Sequence, residues 1–262
     1  VRVLIFGLPG AGKSYLASEL INLLGDKAVW FNADQVRSDA NDWDFSEEGR
    51  LRQKQRMQLL CEQAEAEGKI AIADFICPFN KARKDFGASF TIWVNTIEQG
   101  RFEDTNAVFE KPNHKEPCDY VVTEQRGDVD AKKIAWILGN RFIWNDQAPT
   151  VQMLGRWQPW HDGHQALFDR AIAKHGQVNL QIRNMPVTTD NPFTCYEVEK
   201  NLQDKLAKYA GKVKVSIVPN IVNITYGRSV GYKIEQEVFD DEIHNISATS
   251  IRKQLREEGV LQ

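Results

Sequence analysis

Apolar and polar residues follow two alternating rhythms along the chain. "VRVLIF" (residues 1–6) is apolar at every position but Arg2, the pattern of a buried strand. "KSYLASELINLL" (13–24) spaces its apolar residues three and four apart, as an amphipathic helix does. The alternation continues with a strand over "AVWFNAD" (28–34) and a long helix over "GRLRQKQRMQLLCEQAEAEG" (49–68). Strands over "KIAIADFI" (69–76) and "SFTIWVN" (89–95) follow, then a closing helix over "VDAKKIAWILGNRF" (129–142). Strand and helix taken in turn predict a parallel sheet with helices on both faces.

"IWNDQAPT" (143–150) interrupts the pattern with Asn, Asp and Pro, which places a domain seam near residues 145–150. The rhythm then restarts. Strands are predicted over "TVQMLG" (150–155), "QVNLQIR" (177–183), "VKVSIVP" (213–219) and "YKIEQEVF" (232–239). Helices are predicted over "HQALFDRAIAKH" (164–175), "CYEVEKNLQDKLAKYA" (195–210) and "ATSIRKQLREEG" (248–259). The expected fold class is α/β in two domains, residues 1–145 and 150–262.

Composition narrows the field. With 42% hydrophobic residues in 262, one or two sizeable cores are available. The net charge of -3 argues against a general grip on nucleic acid, which needs a basic excess. No apolar run approaches a membrane span, and the first residues do not have the form of an export signal. Cys61, Cys77, Cys118 and Cys195 lack metal-site spacing and read as reduced thiols, so a cytoplasmic location is expected.

"GLPGAGKS" (7–14) follows the first strand and opens the first helix. It is a complete G-x-x-x-x-G-K-S loop in its proper context. Gly7, Leu8, Gly10, Ala11 and Gly12 supply backbone N–H groups for phosphate oxygens, Pro9 shapes the same loop without an N–H of its own, and the helix beginning at Lys13, Ser14 and Tyr15 adds its dipole. Lys13 is expected to reach the β- and γ-phosphates of ATP, and Ser14 to ligate Mg²⁺.

The residues after the second strand, "NADQVRSDAN" (32–41), resemble the adenylylsulfate kinase family, whose D-x-V-R motif and following Asn are matched by Asp34, Arg37 and Asn41. "DFS" (44–46), Arg50, Arg52 and "ADFICPF" (73–79) extend the likeness over roughly residues 1–100. The resemblance implies that Asp34 orients or deprotonates the acceptor hydroxyl, or holds Mg²⁺ through water. The plain alternative is a helix N-cap. Asp74 becomes a second candidate near Mg²⁺, or a polar strand end. Arg37 becomes an anchor for an anionic acceptor, or a solvated charge. The family's lid motifs are missing. "EQGRFEDTNAVFEKPN" (98–113) stands in their place, with Arg101 and Lys111 as candidate cations and Phe102 or Phe109 as candidate stacking rings. A small-molecule kinase follows from this, but adenylylsulfate as its acceptor does not.

"GRWQPWHDGHQALF" (155–168) carries a second phosphate signature, H-x-G-H, at His161, Gly163 and His164. Its lead-in resembles the G-R-F-Q-P of nicotinamide-mononucleotide adenylyltransferases. "NPFTCYE" (191–197) and "ISATSIR" (246–252) resemble further motifs of the same nucleotidyltransferase superfamily, which includes cytidylyltransferases. The resemblance implies a Rossmann-like domain in which Gly155, Arg156, Trp157, His161, Gly163, His164, Ser247, Thr249 and Arg252 bind the nucleotide. His161, His164 and Arg252 would act on its phosphates. Arg156 and Arg183, at strand ends, are plausible acceptor ligands. Trp157 and Trp160 are packing residues or base-stacking ones. The nucleotide is ATP or CTP.

The expected whole is bifunctional: a kinase for a small hydroxyl compound, then a transferase releasing pyrophosphate. Synthesis and phosphorylation of adenylylsulfate, a nucleotide-sensing regulator with an inactive site, and a nucleic-acid end-healing kinase are the rivals. The expected partners are small molecules and nucleoside triphosphates, without nucleic acid or membrane. Self-association is left open.

Overall fold

A computed structural model describes residues 1–225, 227–228, 231–238 and 246–261. They divide into two compact units, Val1–Ile137 and Leu138–Gln262. The seam read from sequence, 145–150, lies a few residues beyond that division.

The first unit holds five strands: β1 (Arg2–Phe6), β2 (Ala28–Asn32), β3 (Ile70–Asp74), β4 (Phe90–Val94) and β5 (Tyr120–Val122). All its pairings are parallel, in the order β2-β3-β1-β4-β5. The helices are α1 (Lys13–Leu24), α2 (Ala33–Asp39), α3 (Glu47–Ala66), α4 (Asn80–Phe86), α5 (Glu103–Val108) and α6 (Gly127–Phe142), the last spanning the division between the units. β1 and β3 are buried at every position; they are apolar except for Arg2, which pairs with Glu65 at 2.6 Å, and Asp74. Leu4, Phe6, Ala71 and Ala73 pack there with Met57 and Cys61 of α3 and Phe86 of α4. The chain builds to one side of β1 through β2 and β3, then crosses to the other side with β4 and β5. That reversal leaves a crevice outside the carboxyl end of β1, where open α/β sheets bind ligands.

The second unit holds a parallel sheet of β6 (Val151–Gly155), β7 (Val178–Arg183) and β8 (Val213–Val218), in that order. Its helices among the described residues are α7 (Asp162–His175), α8 (Cys195–Lys205) and α9 (Ala248–Glu257). A capping box sets the start of α8: the Thr194 hydroxyl accepts from the Glu197 amide, and the Glu197 carboxylate accepts from the Thr194 amide.

Several elements depart from the sequence pattern. β2 stops at Asn32 rather than Asp34, because the Asn32 side chain caps α2 by accepting from the amides of Asp34 and Gln35. α8 ends at Lys205, and a 3₁₀ turn over Ala207–Tyr209 leads to Gly211 at φ 81°. Residues 232–238 form no strand, and Phe239 lies outside the described residues. Tyr232, Ile234 and Val238 are exposed there, so the alternation of "YKIEQEVF" covers no sheet face.

Candidate active sites

In the first unit, the loop between β1 and α1 bends around the carboxyl end of the sheet. Gly7 has φ 151°, and a Cβ there would press into the Val94 carbonyl of β4. Only glycine allows the loop to leave β1 so close to its neighbour. Lys13 lies over this loop and donates to the Leu8 carbonyl at 3.0 Å. Burial pushes its ammonium down to about 8, against the opposing pull of the Asp74 and Asp34 carboxylates.

Asp74 ends β3 opposite Ile5 of β1 and Asn32 of β2. It is buried and accepts from three donors: Ser14 Oγ at 2.6 Å, Trp30 Nε1 at 2.8 Å and Asn32 Nδ2 at 3.1 Å. Burial raises its carboxyl above the usual range, while those donors and Lys13 pull it down. The Ser14 hydroxyl and the Asp74 carboxylate are hard oxygen donors in contact with each other. That donor set fits Mg²⁺, which takes one or two protein oxygens and completes its shell with nucleotide phosphates and water. A protein cage is not needed, and among the described residues no cluster of three or more His, Cys, Asp or Glu could form one.

Asp34 is the second residue of α2, and the N-cap role belongs to Asn32. Asp34 is exposed and lines the same cavity as Lys13, Ser14 and Asp74, a space of about 1280 Å³. Arg37 lines it too but is buried, not solvated. Its Nη1 donates to the carbonyls of Asp42 (3.0 Å) and Asp44 (2.9 Å), and its guanidinium lies 4.7 Å over the Phe45 ring. Arg37 therefore also shapes the 42–45 loop. Asn41, in the same loop at φ 47°, is exposed. Arg101 and exposed Phe102 line the cavity, whereas Phe109 packs against the core. The sequence reading missed Trp30 and Asn32 beside Asp74. It also missed Trp43 and Phe45, which are exposed aromatic walls of the cavity.

In the second unit, β6 ends at Gly155, where a Cβ would sit 2.7 Å from the Trp157 ring. Trp157 is buried at φ 55° and donates from Nε1 to the Gln181 carbonyl of β7 at 2.9 Å. Its ring meets His164 edge to face at 4.9 Å, and buried Trp160 lies 5.5 Å from the same imidazole. His161, the N-cap of α7, stacks on His164 with centroids 3.7 Å apart and planes 24° apart. Both Nδ1 atoms are buried without a hydrogen-bond partner. Burial lowers both imidazoles, with Asp162 opposing at His161; His164, further lowered by the neighbouring His161 charge, comes to about 4. Both rings are therefore neutral at pH 7.

Arg252 of α9 is buried and donates to the Gln158 carbonyl at 2.8 Å and the Thr249 hydroxyl at 3.1 Å. Gln158 itself is buried and joins this segment to Phe193 by two hydrogen bonds. Ser247 caps α9 by accepting from the Ser250 amide. Arg156 donates to Asn191 at 3.3 Å, and Arg183 donates to Asn220 at 2.7 Å with its Nε buried and unpartnered. His161, His164 and the Trp157 and Trp160 rings thus form one cluster. Arg252 is tied to the same 157–160 segment through Gln158.

The four cysteines are free thiols, and no helix among the described residues is long and apolar enough to cross a membrane.

Comparison with known proteins yields one family match: the adenylylsulphate kinase profile aligns with residues 1–108. No curated protein matches the chain. An adenylylsulphate kinase of Mycobacterium tuberculosis, solved with AMPPNP and APS, is 21% identical over 51% of this chain and 94% of that one, with a TM-score of 0.43. A shikimate kinase from Acinetobacter baumannii solved with shikimate is 17% identical over 53% of this chain and 94% of that one, at 0.38. A chain of an RNA repair complex is 13% identical over 99% of this chain and 85% of that one, at 0.32. At these scores the structural alignments carry no assignment. Residues 1–108 match the adenylylsulphate kinase profile, which supports a nucleotide-dependent kinase in the N-terminal half of the chain.

Proposed function

We propose that the protein is bifunctional: its N-terminal half phosphorylates the hydroxyl of a small molecule, and its C-terminal half transfers a nucleotidyl group with release of pyrophosphate. The kinase half rests on one observation above the rest. The phosphate loop, the Ser14–Asp74 pair and Asp34 all face a single cavity with room for two co-substrates. Lys13 exchanges its bond to Leu8 for the β- and γ-phosphates and neutralises charge as the phosphoryl group moves. Mg²⁺ held by Ser14 and Asp74 would add positive charge at the same phosphates. Asp34 orients the acceptor hydroxyl and takes its proton, a role on the order of 10²–10⁴ in rate. Turnover of Asp34→Asn within roughly threefold of wild type would remove it from that role.

The transferase half is supported by the stacked His161–His164 pair, whose buried Nδ1 atoms lack partners. The pair sits at the start of α7, where the helix dipole favours phosphate oxygens. Neutral imidazole N–H groups donate to the α-phosphate as charge grows on it. Arg252 supports the segment that carries them. The two halves can act in either order: a phosphorylated product can be joined to a nucleotide, or an activated nucleotide can be phosphorylated.

The test scores ADP and pyrophosphate separately in a metabolite pool supplied with ATP or CTP. Lys13→Ala is expected to lose ADP formation and retain pyrophosphate release. His164→Ala is expected to lower pyrophosphate release by about 10²–10³ per folded molecule and leave ADP formation intact. A folded Lys13→Ala protein that lost both activities would sink the two-site reading.

A further inference from the structure

The cavity of the first unit contains a cation that phosphoryl transfer does not employ. Lys54 lies on the buried stripe of α3, with Gln53, Met57 and Cys61. It is only 9% exposed, and it lines the cavity. Among the described residues its ammonium makes no hydrogen bond and no ion pair. The neighbouring carboxylates are engaged elsewhere. Asp85 pairs with Lys81 at 2.6 Å, Glu110 accepts from the Asn80 amide at 2.6 Å, Asp104 pairs with Arg50 at 3.3 Å, and Asp74 holds the three donors described above.

A lysine that is buried along most of its length and has no hydrogen bond or ion pair at its end leaves its N–H donors unused among the described residues. The space it faces is where a counter-ion can enter. Its charge is felt by Cys77 and Asp85, which puts it beside the segment joining β3 to α4. Cys77 follows Asp74 by three residues, about 10 Å of extended chain at most. The cation and the Ser14–Asp74 pair line the same cavity.

We propose that Lys54 is an anion-recognition point of the acceptor site. The acceptor is then a small hydroxyl compound that also bears a carboxylate, sulfate or phosphate group, held by Lys54 away from the phosphoryl group in transfer. The word acceptor rests on the kinase reading above; anion binding at Lys54 does not.

The test uses the full chain with its phosphate loop saturated by AMPPNP and Mg²⁺. Sulfate, inorganic phosphate and malonate are titrated separately at constant ionic strength against chloride, and the melting temperature is read. Wild type is expected to melt higher with at least one of the three, and the one that acts names the anionic group. Lys54→Met is expected to lose that rise and to bind AMPPNP within about twofold of wild type. Lys54→Arg is expected to keep the rise. Should Lys54→Met fail to fold, Lys54→Gln takes its place. A wild type that responds to none of the anions, a Met or Gln variant that responds like wild type, or an Arg variant that loses the response as fully as Met overturns the proposal. In a parallel screen, Lys54→Met is expected to lose tenfold or more in kcat/KM for anionic hydroxyl compounds and little for neutral polyols. If no hydroxyl compound yields ADP, the kinase reading fails while the anion response stands on its own.

Discussion

Lys13 and His164 are both titratable groups that burial has pushed toward neutrality, and each predicts a different pH profile. Lys13 is held down to about 8, and on the proposed kinase reading it meets the triphosphate in its charged form. As pH rises through 8, the free protein loses that proton, and AMPPNP affinity is expected to fall by up to tenfold per pH unit. Lys13→Arg, charged throughout, is expected to flatten the profile between pH 7.5 and 9.5. An unchanged wild-type affinity over that range would show that Lys13 is not the group titrating. His164, lowered to about 4, is neutral in the folded protein well below the pH at which it charges in the unfolded chain. Its contribution to stability is therefore full above about pH 6.5 and is lost as pH falls toward 4. The slope is expected to be no steeper than about 1.4 kcal/mol per pH unit. His164→Phe is expected to reduce the acid sensitivity of the second unit's melting transition. An identical slope in the variant would assign the sensitivity to other groups.

At the level of elements, Gly155 shows how one backbone position governs a whole cluster. A methyl group there collides with Trp157, which contacts His164, which stacks on His161. Gly155→Ala is expected to destabilise the second unit by about 1–3 kcal/mol, as overpacking does. It is also expected to lower pyrophosphate release more than nucleotide binding. Normal release per folded molecule would show that the imidazole pair tolerates displacement of its neighbour. The elements themselves were legible wherever burial had one clear period. β1 and β3 are apolar runs but for Arg2 and Asp74 at their ends, and α1 and α7 carry apolar residues at helical spacing. β5 has three residues, too few to make a pattern, and it went unread. "YKIEQEVF" has the alternation of a strand, yet its apolar members are exposed. Alternation states which side chains could share a face, but whether a sheet edge is there to receive them depends on residues far away in the chain.

The same division applies to the molecule as a whole. The phosphate loop was readable because its glycines, Lys13 and Ser14 are contiguous. Asp74 was readable as a candidate near Mg²⁺ or as a polar strand end, but its partners were not, since Trp30 and Asn32 reach it across a parallel sheet. Lys54 left a trace in the sequence: it falls three residues before Met57, on the stripe that continues through Cys61 and Ala64. A lysine at a core-facing position is a signal, but only folding shows that it opens onto a cavity.

That cavity, at about 1280 Å³, exceeds the roughly 300–1,000 Å³ of an ordinary ligand pocket. With ATP alone in place, the unfilled part of the space admits solvent next to the terminal phosphate, and a water molecule is then an acceptor too. On the proposed kinase reading, slow hydrolysis by water is expected whenever the part of the cavity beyond ATP, its acceptor compartment, is unfilled. A compound that fills this compartment but lacks the reactive hydroxyl should act as a plug. Acceptor-independent ADP release is expected to be slow and to fall further as such a plug is added. A rise would mean that filling the compartment aligns water for attack rather than excluding it.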